Sequence, residues 1–323
     1  MERSSTTKQR WVLALRIAVS VAMLAVLVDK LARSPSPDLP DFTASTAGWL
    51  AGAAALTLAG VLLSAVRWQV VLAALGQHVG YSRLLSHYLA GQFVANVLPT
   101  TIGGDVLRVS RLAKDSGETP ASFASVVLER LTGWIVLPVI TFVGFAVNPG
   151  LRRLGNATRV ALFVAAAPIV LLGAVLWAMA RHHSEDVMHE TGWRRFLAAI
   201  ALGLNRLRRQ PSQILGVLGA GFAYQLVLVG AAVMAARAID IRPAGPTALC
   251  AFLPAVLIAQ VLPISISGVG VREFLFALFL RPLGVATEQA IALGLLLYLL
   301  NLVVSLLGAP AFAVGGRTRR VLA

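Results

Sequence analysis

The chain has 323 residues, of which 58% are hydrophobic and only 13% are charged. A soluble domain carries about 25% charged residues, so this composition excludes an ordinary soluble domain and predicts an integral membrane protein. The net charge is +14, but the arginines lie in short loops between apolar runs, so nucleic-acid binding is not expected. A single cysteine, Cys250, excludes an internal disulfide and a cysteine-based metal framework, and we predict neither a metal nor a cofactor.

The first apolar run, Trp11–Val28, follows a polar and basic N-terminus. A signal peptide is the alternative, but the small-residue cleavage pattern is poor, so we interpret the run as a retained span with a cytoplasmic N-terminus. Arg67 and Trp68 follow the second run, and we interpret them as anchors at the membrane interface. With this first run, six runs are long enough to cross a bilayer, which takes about 20 helical residues. The other five are 47–66, 119–147, 160–180, 213–236 and a run within 285–314.

Two segments interrupt this helical pattern with proline and glycine. The first broken stretch, Asn96–Arg108, reads NVLPTTIGGDVLR, and the second broken stretch, Gln260–Glu273, reads QVLPISISGVGVRE. Each has Asn or Gln before Val-Leu-Pro, then two glycines, then an arginine nine residues after the proline. An unpaired backbone group in a bilayer costs several kcal/mol, so such a break is tolerated only inside protein or beside a wet cavity. The shared spacing favours a repeat over two unrelated helix ends.

The two broken stretches define the predicted fold. We interpret 81–114 as a re-entrant hairpin that enters from the cytoplasm; one polar span followed by a surface helix is the alternative. A second hairpin, 247–280, would enter from outside. The prediction is an all-α integral membrane protein with six or more transmembrane helices plus two re-entrant or broken-helix hairpins. It forms one polytopic domain, 1–323, as an inverted repeat with halves at about 47–180 and 213–315. We place it in the inner (plasma) membrane with both termini cytoplasmic.

The broken stretches also carry the predicted chemistry. Helix N-termini present unpaired N–H groups at a partly positive end and bind phosphate readily. The glycines are expected to precede each returning helix, and Arg108 and Arg272 follow within about one turn, suited to bidentate phosphate contact. Asp105 and Glu273 would hold these arginines when no ligand is bound. We predict a site for a lipid with a phosphate head group. The alternative is that each Arg–acid pair has a structural role and only stabilises its own hairpin.

A second charged pair lies inside the span 119–147. Ionisable residues at such a depth are functional by default, and we expect Glu129 to face the first hairpin, because Arg130 is long enough to snorkel. The candidate substrate-binding residues are Asn96, Gly103, Gly104, Asp105, Arg108, Glu129, Arg130, Gln260, Gly268, Gly270, Arg272 and Glu273. No catalytic residue is predicted: Ser265 and Ser267 have no base histidine nearby.

These residues resemble the lysylphosphatidylglycerol synthase transmembrane (flippase-like) family over nearly the whole chain. The resemblance rests on Arg67-Trp68, Gly91-x-Phe93-x-x-Asn96-x-x-Pro99-x-x-x-Gly103-Gly104-Asp105-x-x-Arg108, Ser125 with Glu129-Arg130, and Pro263…Gly268-x-Gly270-x-Arg272-Glu273. It implies lipid translocation or binding. Two-domain members add a soluble aminoacyltransferase domain, for which only a few basic residues remain after the last span, so the resemblance does not imply that activity here.

Three functions stay open at this point. The first is a flippase or transporter for a phospholipid, an aminoacylated phosphatidylglycerol or a polyprenyl-phosphate carrier, with a separate synthase or glycosyltransferase as a possible partner. The second is a membrane glycosyltransferase with a lipid-phosphate sugar donor, for which Asp29, Asp38 and Asp41 in the first outside loop are the candidate acids. The third is a non-catalytic subunit of a cell-envelope assembly. No nucleotide-binding loop is present, so we do not expect this chain to use ATP.

Overall fold

The computed structural model describes residues 43–97, 103–181, 211–261 and 268–314. Within these ranges the chain forms helices joined by short turns, and no strand occurs. Short 3₁₀ turns lie at Pro149–Arg153 and Arg281–Leu283. The α-helices in these ranges, numbered in chain order, are α1 Ala44–Ala74, α2 Tyr81–Val97, α3 Gly103–Ser116, α4 Thr119–Val147, α5 Asn156–Arg181, α6 Pro211–Ala238, α7 Pro246–Ala259, α8 Val271–Leu280, α9 Thr287–Leu306 and α10 Ala309–Val314.

Among the described helices, five are long and apolar enough to cross a membrane: α1, α4, α5, α6 and α9. A sixth, α7, is apolar but shorter. Lipid offers no hydrogen-bond partners, and a helix satisfies its backbone internally, so this composition suits a bilayer. The prediction of an all-α membrane protein is confirmed. The first predicted span, Trp11–Val28, lies outside the described residues, as do Asp29, Asp38 and Asp41.

Helix α1 is longer than the predicted span 47–66. It runs from Ala44 to Ala74, so Arg67 and Trp68 lie inside the helix instead of at its end. Both side chains are buried, with exposed fractions of 7% and 0%. The interpretation of these two residues as interface anchors was therefore wrong. An anchor keeps its polar end in water, whereas both of these side chains contact other helices of the protein.

A long–short–short–long order of helices occurs twice. Helices α1 (31 residues) and α4 (29 residues) flank α2 and α3, and α6 (28 residues) and α9 (20 residues) flank α7 and α8. In each set the broken stretch includes the junction between the two short helices, and the second short helix packs against the long helix that follows. The leading long helices, α1 and α6, pack against each other along much of their length.

The hydrophobic core joins the two sets through α4 and α7. Phe252 of α7 stacks on Phe279 of α8 at 5.0 Å between ring centroids and meets Phe145 of α4 edge-on at 5.4 Å. The helices cross closely at Gly144, where an added Cβ would lie 2.6 Å from the backbone nitrogen of Ala251. A methyl group does not fit there, so glycine sets the separation of the helices. This contact holds α7, which leads into the second broken stretch, against α4.

Candidate functional site

A buried carboxylate in the middle of α4 joins three helices. Glu129 is 1% exposed. Its Oε1 accepts a hydrogen bond of 2.6 Å from Arg67 Nη2 of α1, and its Oε2 accepts one from Arg108 Nη2 of α3. Both arginines are also buried. Charges at this depth are tolerated only when they are paired and hydrogen-bonded, so the three residues form one electrostatic unit that holds α1, α3 and α4 together.

Aromatic rings cover the two arginines of this unit. The guanidinium of Arg108 lies 4.2 Å from the ring centroid of Trp68 and 4.5 Å from that of Tyr88, and Arg67 lies 4.6 Å from the ring of Tyr224. Cation–π contacts of this kind are strongest when the cation is desolvated. Trp68 Nε1 donates a 3.0 Å hydrogen bond to Ser125 Oγ on α4. The Arg67-Trp68 pair therefore contributes one ion pair and one aromatic face to the same cluster.

Asp105 has a different main partner from the one predicted. Its Oδ2 accepts from Nε of Arg130 at 2.6 Å, whereas its Oδ1 lies 3.6 Å from Nη1 of Arg108. Thus Arg108 is held chiefly by Glu129 of α4, and Asp105 chiefly holds Arg130. The expectation for the α4 pair is confirmed: Glu129 faces the first hairpin inside the protein, while the Arg130 side chain is 49% exposed.

The glycines of the first broken stretch permit a close helix crossing. We predicted that Gly103 and Gly104 precede the returning helix. That prediction was wrong, because they are the first two residues of α3. A Cβ on Gly104 would collide with the carbonyl oxygen of Gly91 on α2, and a Cβ on Gly91 would lie 2.8 Å from Cγ of Arg108. Glycine at both positions therefore brings α2 and α3 together and seats Arg108 against the crossing.

The second broken stretch uses its acid locally. Glu273 is fully buried, and its Oε2 accepts a 2.5 Å hydrogen bond from the backbone N–H of Gly270 at the start of α8. Its Oε1 accepts from Arg272 Nε at 3.1 Å and from Arg272 Nη2 at 3.0 Å. The pairing of Glu273 with Arg272 is as predicted. We also expected an unpaired N–H at this helix start. That expectation was wrong for Gly270, because the Glu273 carboxylate accepts a hydrogen bond from its N–H and caps the helix.

Positive backbone angles explain the two glycines of this stretch. Gly268 has φ of +74° and Gly270 has φ of +86°, a region that residues with a Cβ rarely adopt. A Cβ on Gly268 would also lie 2.6 Å from Cβ of Gln260. These glycines turn the chain sharply back toward the end of α7. As a result, Gln260, the residue after α7, and Arg272 line the same cavity.

A cavity of about 270 Å³ brings the two broken stretches together. Asn96 from the first stretch and Gln260 and Arg272 from the second line it, together with Arg130 of α4. The guanidinium of Arg272 lies 5.1 Å from the ring centroid of Tyr298 on α9, another lining residue. Of the predicted site residues, those that do not line this cavity are Gly103, Gly104, Asp105, Arg108, Glu129, Gly268, Gly270 and Glu273. Among them, Asp105 and Glu273 bind the lining arginines Arg130 and Arg272.

The cavity also contains polar residues that sequence reasoning missed. Ser64 of α1 is fully buried, and its hydroxyl has no hydrogen-bond partner among the described atoms. Asn301 and Tyr298 lie three residues apart on α9 and therefore on one face of a mainly apolar helix. Polar side chains repeated on one face of a membrane-crossing helix are the signal that could have identified α9 as a wall of the cavity.

The described residues contain no group of three or more His, Cys, Asp and Glu side chains placed to hold a metal ion. What the arrangement offers is cationic and amide groups in a largely apolar bundle. Guanidinium and amide N–H groups are donors that suit an anion. His182, His183 and His189, and the hydroxyls of Ser265 and Ser267, lie outside the described residues.

Comparison with known proteins agrees with the resemblance drawn from the broken stretches. No curated protein is a significant match to this chain. The family model described as the lysylphosphatidylglycerol synthase TM region matches residues 13–308. That range covers the described helices as far as α9, both broken stretches and the ion cluster formed by Arg67, Asp105, Arg108, Glu129 and Arg130. The chain therefore belongs to the lysylphosphatidylglycerol synthase TM region family and is a membrane protein linked to lipid handling.

Proposed function

We propose that this protein binds the phosphate-bearing head group of a lipid in the cavity between the two broken stretches and moves that lipid across the membrane. The observation that supports the proposal most directly is the cavity itself. Polar side chains of both broken stretches line it, within a bundle whose described helices include five of membrane-crossing length. Transporters commonly place the substrate site between paired broken segments in this way.

The balance of charge beside the cavity favours an anion. The ion cluster holds three arginines, Arg67, Arg108 and Arg130, against two carboxylates, Glu129 and Asp105, so it carries one surplus positive charge. The half-exposed Arg130 brings that surplus to the cavity wall. In a poorly solvated site an uncompensated charge is costly, and a phosphodiester carries the single negative charge that would neutralise it.

The size of the cavity favours a head group over a whole lipid. Pockets for small molecules span about 300–1,000 Å³, and this cavity of about 270 Å³ lies just below that range. The side-chain amide groups of Gln92, Asn96, Gln260 and Asn301 would bind the polar part of the head group. The lipid itself, whether a phospholipid, an aminoacylated phosphatidylglycerol or a polyprenyl-phosphate carrier, is made in this proposal by a separate synthase or glycosyltransferase.

Purified protein reconstituted into vesicles with fluorescent lipids tests this function. We expect transport of a phosphatidylglycerol analogue to exceed that of a diacylglycerol analogue without phosphate. Arg272→Gln and Arg130→Gln should each weaken phospholipid binding by about 10- to 100-fold, since a charge-assisted hydrogen bond is worth about 1.5–3 kcal/mol. Arg272→Lys keeps the charge but loses the two-pronged geometry, so it should rescue only partly.

The matched control is Arg242→Gln, because Arg242 is an exposed arginine in the turn between α6 and α7. It should transport and bind like the unaltered protein. Equal transport of the two analogues, or unchanged binding in both Arg272→Gln and Arg130→Gln, would contradict the proposal. Thermal unfolding of each variant separates a lost ligand contact from a lost fold.

We also propose that the two long–short–short–long sets are inverted repeats, in an inner (plasma) membrane protein with both termini in the cytoplasm. The test uses single cysteines in a Cys250→Ser background, at the exposed Lys114 after the first broken stretch and the exposed Arg242 before the second. A membrane-impermeant thiol reagent should label the cysteine at 114 only from the cytoplasm and the cysteine at 242 only from outside. Labelling of both from one side would exclude the inversion.

A further inference from the structure

A second and larger space lies beside the cavity, between α3 and α4. This groove has a volume of about 800 Å³, and its walls are mainly apolar. On the α3 side the apolar wall includes Val106 and Val109; on the α4 side it includes Phe123 and Trp134. Val106 is 59% exposed, so the groove is accessible from outside the bundle.

The groove and the cavity share a wall residue. Arg130 lines both spaces, and Asp105, which binds Arg130, lines the groove. The ion pair therefore marks the boundary between a polar compartment and an apolar one. At the other end of α3, Lys114 also lines the groove, is exposed, and forms no ion pair with the described residues. From Asp105 to Lys114 the helix rises roughly 13.5 Å, at 1.5 Å for each of nine residues.

We infer that the groove between α3 and α4 holds an acyl chain of the lipid whose head group occupies the cavity. This inference rests on the proposed function, and it gives a position to the acyl chain, the part of the lipid that the cavity is too small to hold. An amphiphile matches both compartments: its chain contacts valine and aromatic side chains, while its phosphate lies beyond Arg130. The positive charges at the two ends, Arg130 and Lys114, favour an anionic lipid over a neutral one.

The Asp105–Arg130 ion pair lies on the lateral path of the lipid from the groove to the cavity. For the head group to pass from the groove side to the cavity side, it must go by Asp105 and Arg130. A phosphate that binds Arg130 competes with Asp105 for the same guanidinium, and Asp105 retains Arg108 as a second partner at 3.6 Å. The exchange therefore leaves neither carboxylate nor phosphate without a cation.

Photo-crosslinking tests the placement of the chain. The probe is phosphatidylglycerol with a diazirine in one acyl chain, added to the full-length protein in nanodiscs, with labelled peptides identified by mass spectrometry. We expect labels on groove residues of α3 and α4, within 106–113 and 123–134. Ala113→Trp should fill the groove and reduce this labelling by about tenfold, which corresponds to about 1.4 kcal/mol. Ser110→Phe is a second, smaller filling in case Ala113→Trp fails to fold.

The control is Phe163→Trp, which introduces the same indole side chain on the exposed face of α5, where Phe163 is 76% exposed and lines neither space. It should leave groove labelling unchanged. Labels spread evenly over α5 and α6, or a groove signal that neither Ala113→Trp nor Ser110→Phe reduces, would overturn the inference. So would a co-purifying protein crosslinked to the groove in place of the probe.

The same preparations distinguish this inference from the proposed function. If the head-group site is right and the groove wrong, Arg272→Gln will weaken phosphatidylglycerol binding while Ala113→Trp leaves it unchanged. If the groove is right and the head-group site wrong, Ala113→Trp will reduce labelling by phosphate-free and phosphate-bearing probes equally, and Arg272→Gln will alter neither.

Discussion

The two broken stretches share their sequence spacing but use their arginines differently. In the first, Arg108 reaches a carboxylate on another helix, Glu129, beneath the rings of Trp68 and Tyr88. In the second, Arg272 pairs with its own neighbour, Glu273, which also caps the start of α8. The first arginine lies outside the cavity, while the second lines it.

This difference separates a structural role from a binding role. Arg108 binds a carboxylate on another helix, lies against two aromatic rings and does not line the cavity, so it chiefly holds α3 against α4 and α1. A guanidinium at a cavity wall, paired with an adjacent acid, remains accessible to an anion. Equal spacing in sequence therefore does not imply equal function, because the position of the compensating acid decides what the arginine can bind.

The largest expected effect comes from Glu129→Gln, which leaves two buried arginines without their carboxylate. Removing one partner of a buried ion pair costs about 3–5 kcal/mol, and thermal unfolding in detergent measures the loss. Glu118→Gln, at an exposed acid at the start of the same helix, is the control and should change little. Arg67→Met added to Glu129→Gln should recover part of the loss. Equal stability of Glu129→Gln and the control would show that Glu129 does not hold the cluster together.

A smaller loss of stability is expected for Glu273→Gln, because Arg272 faces the cavity and keeps its contact with Tyr298. Loss of a hydrogen bond to a charged group costs about 1.5–3 kcal/mol. Asp240→Asn, which removes an exposed acid, is the control. The double variant Arg272→Gln/Glu273→Gln decides the role of the pair: it should regain stability but not transport. If the double variant regained both stability and transport, the pair would only stabilise its own hairpin, and the phosphate-binding role of Arg272 would be wrong.

Glycine substitutions test whether close helix packing at the first broken stretch contributes to stability. Gly104→Ala should destabilise the first hairpin by about 1–3 kcal/mol, because the methyl group would meet the carbonyl oxygen of Gly91. Gly173→Ala is the matched helical control, since nothing lies within 4 Å of its added Cβ, and alanine there should be neutral or slightly stabilising. Thermal unfolding of the pair measures the difference. If Gly104→Ala is as stable as Gly173→Ala, close approach is not the reason for glycine at 104.

The smallest effect is expected for Trp68→Phe. Phenylalanine keeps an aromatic face for Arg108 but loses the 3.0 Å hydrogen bond to Ser125, which should cost about 0.5–1.5 kcal/mol. Trp49→Phe, at a position 40% exposed on the same helix, is the control. Transport should persist in both variants. A transport defect in Trp68→Phe without loss of stability would place Trp68 in the binding path and weaken the distinction between the two stretches.

Composition and apolar periodicity alone determined the class of the protein and several of its elements. The predicted bounds 119–147 are those of α4, because Pro120 marks where this helix starts. The interior position of Glu129 also followed from the sequence, since a short acid cannot reach the membrane surface as a long arginine can. The end of α1 was missed because a buried arginine and an interface arginine look alike when the partner is unknown.

Only the tertiary structure decided which charges meet. Glu129 lies 62 residues from Arg67 and 21 residues from Arg108 along the chain, and no local spacing rule connects residues so far apart. The polar lining contributed by Ser64 and Asn301 likewise depends on how α1 and α9 pack around the broken stretches. A helix pattern identifies the face that is apolar, but the partner of a buried charge is set by helix packing, which brings distant residues within hydrogen-bond distance.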